Sequence, residues 1–255
     1  MKNFIVYEQP LNERVRSLLR VEHLFALASQ TIRGASTGES RHALNIMNDI
    51  LEIITRSDFK SELIAGIKYV HKNLTALRYA EGVNNSYLES LLARLQHAEE
   101  ELFQIKGSLG KELRHYDVFT SLRARRNVPG GDCPIDSPLL HYWLEQPPEQ
   151  RKNELDNWLH KLDIVQRPVA LILELFRDAT EAQVEIAADG VYQQQLDATL
   201  PYQLIRVGIP ANLPCYAEIS ASRHSINIRF LQPQRNDKAF LLRQDITFEL
   251  TCCAL

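Results

Sequence analysis

The spacing of apolar residues changes once along this chain, near residue 180, and that change restricts the fold more than any other feature of the sequence. Before it, apolar side chains recur every three or four residues, as on one face of an α-helix. After it, apolar and polar side chains alternate, as in a β-strand with one buried face. A chain with helices first and strands afterwards belongs to the α+β class. We therefore predict an N-terminal α-helical bundle domain over residues 1–180 and a C-terminal antiparallel β domain over residues 181–255.

Short polar stretches divide the helical part into separate helices with short connections. Breaks are predicted at "GASTGES" (34–40) and "EGVNNS" (81–86). Asn12 and Asp58 are placed to cap helices, and the pair Pro147–Pro148 suits the start of one. No segment repeats another closely, so the pattern indicates a bundle and not a solenoid.

The β part begins with "VEIAADGVYQQQL" (184–196), which predicts a hairpin around Asp189–Gly190, a strong turn pair. Four further strands follow, separated by Pro, Asn and Asp. They are "YQLIRVGIP", "YAEISA", "SINIRFLQP" and "ITFELTCC". The opening "FIVYE" also has strand composition, and its addition to this sheet would bring the two chain ends together.

Composition excludes several classes of protein. The net charge of −3 gives no general attraction to nucleic acid. No window approaches the eighteen or more apolar residues of a membrane span, and the first apolar run is too short for a secretory signal. Four cysteines without regular spacing suit a reducing compartment. We therefore predict a cytoplasmic protein without direct membrane contact.

The stretch "VPGGDCPIDSPLLHYWLEQP" (128–147) contains the residues that most invite a catalytic interpretation. Its glycine pair fits neither a Walker loop nor a dinucleotide-binding motif. Cys133 and His141 could in principle form a nucleophile and base, but nothing nearby supplies a third catalytic member. We predict a sharp turn at residues 129–131 followed by a helix capped by Asp136. The eight histidines form no metal-binding spacing, so we expect no metal site. Because the stretch also has no nucleotide-binding motif and no third catalytic member, we expect no catalysis and no cofactor.

One charge feature points to binding. In "SRHSINIRF" (222–230), alternation places Arg223, Ser225, Asn227 and Arg229 on one outward face, above a buried row that begins at His224. The arginine fork grips carboxylates at two points, so such a strand suits an acidic peptide. Two further basic groups share this character. They are Arg14, Arg16 and Arg20 on the first helix, and Arg123, Arg125 and Arg126 before the glycine turn.

Three stretches of the chain resemble one known family. They are "YEQPLNERVRSLLRVEHLF" (7–25), the stretch 128–147 quoted above, and the ending "ITFELTCC". The chain is similar to the ZapD family, the Z-ring-associated cell-division proteins of proteobacteria, over nearly its whole length. The resemblance implies a cytoplasmic homodimer, recruited to the division site at mid-cell, that binds the C-terminal tail of FtsZ and bundles its filaments. It implies no catalysis and no cofactor.

The same resemblance implies where the tail binds. The family's basic residues come from the β-domain strand and from an arginine after the second helix, which match Arg229 and Arg56 here. The predicted partner-binding residues are Arg56, Arg223, Arg229, Arg20 and His224, with Arg126 as a weaker candidate. The family usually has a basic residue four positions before the arginine that matches Arg229, where this chain has Ser225. We place the dimer contact in residues 1–180 because that part offers long apolar faces.

Three alternatives stay open from the sequence. An enzyme would require a concave site that gathers Cys133, His141 and an acid. A nucleic-acid-binding module would require aromatic side chains between the arginines of the strand, and the outward face of 223–229 has none. An acidic-peptide module with a partner other than FtsZ would use the same arginines.

Overall fold

A computed structural model describes residues 4–131, 133–235 and 237–255 of the chain. It has the predicted α+β architecture, with helices followed by antiparallel strands. In chain order the elements are β1 (Phe4–Pro10), α1 (Glu13–Thr31), α2 (Thr37–Ile54), α3 (Phe59–Ala76), a 3-10 turn (Leu77–Tyr79), α4 (Asn85–Gln104), α5 (Lys111–Arg114), α6 (Asp117–Arg125), α7 (Pro138–Leu144), α8 (Pro148–His160), α9 (Asp163–Asp178), β2 (Gln183–Ala187), β3 (Val191–Gln195), β4 (Tyr202–Pro210), β5 (Tyr216–Ala221), β6 (Ser225–Gln232), β7 (Phe240–Leu241) and β8 (Ile246–Ala254).

The chain divides into two compact units. The sheet unit contains Met1–Arg16 and Leu173–Leu255, and the helical unit contains Ser17–Ile172. The opening strand β1 and the last turns of α9 therefore belong with the C-terminal strands. As predicted, the N-terminal strand joins their sheet, where β1 pairs antiparallel with β4.

Capping side chains explain where several helices begin. Asn12 accepts a hydrogen bond from the N–H of Val15 (2.9 Å), which confirms the predicted cap. The break predicted over residues 34–40 is shorter than expected, because Ser36 and Glu39 form a reciprocal capping box that starts α2 at Thr37. Asp58 occupies the N-cap position of α3 but makes no side-chain cap bond. Pro148 begins α8 as predicted.

A buried arginine braces the helical unit. Arg151 is only 3% exposed, and no carboxylate of the described ranges pairs with it. Its guanidinium donates to Ser40 Oγ (3.1 Å) and to the carbonyl oxygens of Ala35 (2.9 Å), Leu144 (3.0 Å) and Gln146. These bonds tie the start of α2 to the end of α7, because backbone acceptors buried at both places share one donor group.

An aromatic cluster joins α6, α7 and α8. The rings of Trp143 and Trp158 are stacked, with centroids 5.9 Å apart and an interplanar angle of 25°. Phe119 meets Trp158 edge-on at 5.4 Å, and Tyr116 does so at 6.2 Å. Aromatic pairs at these separations add to the stability that area burial provides.

The sheet unit is a sandwich of two antiparallel sheets. The first has strand order β1-β4-β8-β2 and the second has order β3-β6-β5, with β7 also paired to β6. Apolar side chains from both sheets form one core, in which Phe230 of β6 contacts Phe248 of β8 at 5.1 Å between ring centroids. Tyr192 of β3 meets the same Phe248 ring at 5.2 Å.

The predicted turn at Asp189–Gly190 is present. Both residues have positive φ angles, 49° and 75°, as a two-residue type I′ turn requires. The two strands that leave this turn do not continue as a hairpin ladder, however. β2 pairs with β8 of the first sheet, and β3 pairs with β6 of the second. The turn therefore connects the two layers of the sandwich.

A three-residue ion-pair cluster holds the first sheet against the end of α9. The Glu8 carboxylate accepts from Arg177 (2.8 and 2.9 Å) and from Arg206 (3.0 Å). All three side chains are mostly buried, between 20% and 28% exposed.

Across the three described ranges, no helix has the length and apolar character that crossing a membrane requires.

Candidate functional site

Strand β6 carries the outward arginine that alternation predicts. Ile226, Ile228 and Phe230 are buried in the sandwich core, with exposures of 1% or less. The side chain of Arg229 points the other way and is 52% exposed. The predicted two-faced character of the strand is therefore confirmed from Ser225 to Phe230.

Arg229 has one ionic neighbour among the residues that the structure describes. Its Nη1 lies 3.3 Å from Oε2 of Glu218, which sits directly opposite on β5. Both side chains are more than half exposed, and exposed pairs of this kind contribute about 0–1 kcal/mol. A carboxylate from a ligand can therefore replace Glu218 at little energetic cost.

The outer face of the second sheet is polar between Ser225 and Arg229 of β6. Residues directly opposite in antiparallel strands share a face, so the register groups side chains from three strands. We call this group the polar strip; its members are Gln193, Gln195, Ser220, Ser225, Asn227 and Arg229. A shallow depression of about 500 Å³ lies between Gln193–Gln195 and Ser225–Asn227.

Asn227 is one of the residues that line this depression. Its Oδ1 atom is buried, and no hydrogen-bond donor reaches it from the part of the chain that the structure describes. A buried acceptor without a donor costs free energy, and an atom without accessible surface is not available to a ligand in this conformation. The strip thus offers the Arg229 cation for carboxylates, with uncharged polar side chains beside it.

Arg223 and His224 do not extend the strand face, which corrects the prediction. β6 begins at Ser225, and both residues lie in the exposed turn between β5 and β6. The Ser222 hydroxyl shapes this turn by accepting from the N–H groups of His224 and Ser225, each at 3.2 Å. The alternation broke down here because no buried residue anchors positions 223 and 224. Arg223 and His224 therefore stand at one end of the polar strip. Arg229 lies further along the strand, four residues or about 13 Å beyond Ser225.

In the helical unit, Arg56 follows the last turn of α2, as the resemblance implied. Its side chain is 56% exposed, and Nη2 lies 3.1 Å from Asp58 Oδ2. A second arginine lies beside it, because Nη1 of Arg114 donates to Oγ1 of Thr55 (2.7 Å). The sequence offered no reason to select Arg114, which is distant along the chain and is brought there by the short helix α5.

Arg20 and Arg126 differ sharply in their surroundings. Arg20 is exposed on α1 and forms no ion pair with any carboxylate of the described ranges. Arg126 is bound by two carboxylates of α2, Asp49 at 2.7 Å and Glu52. The hydrogen bond with Glu52 raises the pKa of Arg126. Its charge is already neutralised, so it serves to join the end of α6 to α2.

The structure thus brings Arg223, His224 and Arg229 onto one strand and the turn before it, in the sheet unit. Arg56 and Arg20 lie in the helical unit. Sequence reasoning missed Glu218 and the glutamines of β3, because only the strand register reveals which residues flank Arg229. The "QQQ" run at 193–195 was the sequence signal that could have identified the glutamines. Three amide side chains in a row do not fit a buried strand, so they indicate a solvent-facing polar one.

The stretch 128–147 forms a turn and a helix; Asp132 lies outside the described residues. Gly130 has a φ of 70°, and a Cβ on Gly131 would lie 2.9 Å from the Arg125 carbonyl oxygen, so the pair makes a tight turn. Asp136 does not cap α7 as predicted, because Ser137 precedes the helix and no side chain caps it.

The two chemically suggestive residues of this stretch have separate partners. The Cys133 thiol donates to Asp136 Oδ2 (3.3 Å), whereas His141 Nδ1 lies 3.9 Å from Glu145. Within residues 4–131, 133–235 and 237–255, no group of three or more His, Cys, Asp or Glu side chains is arranged to hold a metal ion.

Comparison with known proteins finds one family profile and several relatives of the same name. The profile of the ZapD family, described as a cell division protein, matches residues 19–229. The "Cell division protein ZapD" of Methylococcus capsulatus is 36% identical over 255 residues, which cover the whole of both chains. The proteins of the same name from Coxiella burnetii and Aromatoleum aromaticum are 35% and 31% identical, each over 98% of both chains.

Proposed function

The chain belongs to the ZapD family of cell division proteins, and from that membership we propose that it is a non-catalytic factor that binds the C-terminal tail of FtsZ and cross-links FtsZ filaments. Bundling of this kind would promote assembly of the Z-ring. The protein would act in the cytoplasm and be recruited to the division site at mid-cell.

The observation that carries the proposal is the exposed Arg229 on the polar strip. Among the described residues, its guanidinium is held by a single exposed carboxylate, that of Glu218. An acidic tail presents carboxylates that can take the place of Glu218. Arg229 would bind such a carboxylate in two places.

The other predicted residues would contribute to different degrees. Arg223 and His224 stand at the end of the strip and would bind a second acidic residue of the tail. Arg56 and Arg20 offer exposed guanidinium groups on the helical unit. Arg126 is excluded from our proposed set because Asp49 and Glu52 already occupy it.

Cross-linking requires two tail sites in one particle. We propose a homodimer, joined through the helical part, with one tail site in each protomer. A dimer that holds tails from two filaments turns weak single contacts into stable bundling, because the second contact forms at high effective concentration.

A sedimentation assay tests this proposal. Purified FtsZ is polymerised with GTP, with or without this protein, and bundles are pelleted at low speed. We expect wild type to bundle the filaments and Arg229→Ala and Arg56→Glu to bundle them less. In a separate binding assay, both variants should bind a labelled FtsZ tail peptide at least about tenfold more weakly than wild type, as loss of a central arginine contact does.

Arg94→Ala provides the matched control, because Arg94 is exposed on α4 and forms no ion pair in the described chain. All variants must remain folded and keep the oligomeric state of wild type. If wild type leaves the filaments unbundled, the proposed function fails. If wild type and all three variants bundle alike, the function stands and the choice of arginines is wrong.

A further inference from the structure

Within the described residues, strand β3 leaves one of its edges unpaired. It is the terminal strand of the second sheet, and the described strands include only β6 as its partner. Two hydrogen bonds fix which groups face β6: the N–H of Phe230 donates to Gly190 O (2.9 Å), and the N–H of Leu196 donates to His224 O (2.8 Å). Backbone groups of an antiparallel strand alternate in direction. The N–H and C=O of Gln193 and Gln195 therefore point to the open edge.

This edge lacks the devices that usually prevent strand addition. Natural edge strands carry charges, prolines or bulges that block pairing with another chain. β3 reads Val-Tyr-Gln-Gln-Gln and contains neither a charged residue nor a proline. The edge strands of the first sheet differ, since β1 contains Glu8 and Pro10, and β2 contains Glu185.

The open edge adjoins the polar strip. Gln193 and Gln195 project onto the same face as Arg229, and Val191 lies between Arg229 and the edge. A strand added to β3 would lie two interstrand spacings, about 4.8 Å each, from β6. The small side chain of Val191 leaves room for the Arg229 guanidinium to lie across β3 and meet an acidic side chain of the added strand.

We infer that an acidic peptide binds here by strand addition, pairing its backbone with Gln193 and Gln195 of β3 while its carboxylates contact Arg229 and Arg223. This inference rests on the proposed function for the identity of the peptide, the FtsZ tail. Main-chain hydrogen bonds would provide part of the affinity, and the flanking cations would select an acidic sequence.

Amide exchange of the three consecutive glutamines tests the binding mode. The protein is labelled with ¹⁵N-glutamine, and hydrogen exchange is followed by NMR with and without a synthetic FtsZ tail peptide. Gln194 faces β6 and serves as the internal reference, protected in both states. We expect the Gln193 and Gln195 amides to exchange quickly in the free protein and to slow at least tenfold when the peptide is bound.

A proline substitution provides the second measurement. Gln193→Pro removes the edge N–H at a position where an edge strand tolerates proline, and Gln193→Ala removes only the side chain. We expect the proline variant to bind the peptide about fivefold to tenfold more weakly than the alanine variant, as loss of one hydrogen bond predicts. A tail peptide N-methylated at alternate residues leaves the protein unchanged and should show the same loss.

The outcomes separate the two proposals. If the peptide binds and depends on Arg229, but Gln193 and Gln195 gain no protection and N-methylation has no effect, strand addition is overturned and the proposed function stands. If the peptide does not bind at all, both fail. Protection of Gln193 in the peptide-free protein, increasing with protein concentration, would assign the edge to a second copy of the chain and overturn the inference.

Discussion

Arg151 and Arg229 show how the surroundings of an arginine decide its role. Arg151 is buried and donates to the carbonyl oxygens of Ala35, before α2, and Leu144, at the end of α7, so its contribution is to the fold. Arg229 is exposed, with one carboxylate that a ligand can replace. Arg126 lies between these cases, since two carboxylates of α2 hold it at the surface. Residue type alone could not separate the three.

Removal of the buried guanidinium should destabilise the helical unit. Arg151→Met fills most of the volume but leaves the carbonyl oxygens of Ala35, Leu144 and Gln146 without their donor. We expect the free energy of unfolding to fall by about 2–4 kcal/mol, measured by urea denaturation with circular dichroism. Lys152→Met, at the next position, is the control and should change stability by less than about 0.5 kcal/mol. Equal stabilities of the two variants would contradict the bracing role.

The cysteines of β8 should make the protein sensitive to alkali. Burial raises the pKa of Cys252 to about 11 and that of Cys253 to about 12. The unfolded chain releases these protons near the ordinary value of 9.0, whereas the folded chain retains them. The stability they contribute is therefore complete below pH 9 and is lost as the pH rises towards 12.

A variant isolates this effect from other groups that titrate in the same range. The free energy of unfolding of wild type, relative to Cys253→Val, should decrease as the pH is raised above 9. Urea denaturation at several pH values measures the difference. A difference that stays constant across this interval would show that Cys253 does not titrate on unfolding.

At the scale of elements, the turn at Asp189–Gly190 shows why one short segment matters to the whole sandwich. It connects β2 in one sheet to β3 in the other, so its conformation sets how the chain passes between the layers. Gly190 has a φ of 75°, and a Cβ there would lie 2.1 Å from the carbonyl oxygen of Leu242. Only glycine satisfies both conditions.

Gly190→Ala should accordingly be costly. Backbone strain and the contact with Leu242 together are expected to lower the free energy of unfolding by about 2–4 kcal/mol. Gly130→Ala is the control, because Gly130 has a similar φ of 70° and open space around its Cα. That variant bears only the strain, about 1 kcal/mol. Thermal unfolding of both variants followed by circular dichroism provides the comparison, and equal losses would rule out a role for the Leu242 contact.

The same elements show how far sequence reasoning reaches. The cap at Asn12, the strands β4, β5, β6 and β8, and the addition of β1 were predictable, because each depends on local pattern. Strand partners were not, since alternation tells which face is buried and not which strand lies alongside. Arg229 was therefore identifiable as outward, but its neighbours Glu218 and Gln193 were not. Arg223 was misplaced because no apolar neighbour fixed where the strand begins.

At the scale of the whole molecule, the proposed function depends on valence. A cross-linker with two tail sites joins filaments only while each site can find a tail on a different filament. When the protein greatly exceeds the available tails, each dimer should occupy one tail and leave its second site empty. Bundling would then decline although tail occupancy is complete.

Light scattering of FtsZ filaments should therefore pass through a maximum as the protein is increased at constant FtsZ. An excess of free tail peptide should dissolve the bundles at every ratio, because it competes for both sites. A plateau in place of the maximum would indicate that more than two tail sites act in one particle. Resistance to the peptide would place the essential contact elsewhere on FtsZ.

The stacked tryptophans have a practical consequence. Trp143 and Trp158 are the two tryptophans of the chain, and both belong to the helical unit. Indole emission excited at long ultraviolet wavelengths therefore comes from that unit alone, and the sandwich that carries Arg229 is optically silent. A peptide bound to the sheet unit can alter the emission only if its binding changes the surroundings of a tryptophan in the helical unit. Intrinsic tryptophan emission therefore reports whether peptide binding to the sheet unit changes the helical unit, and no introduced dye is required.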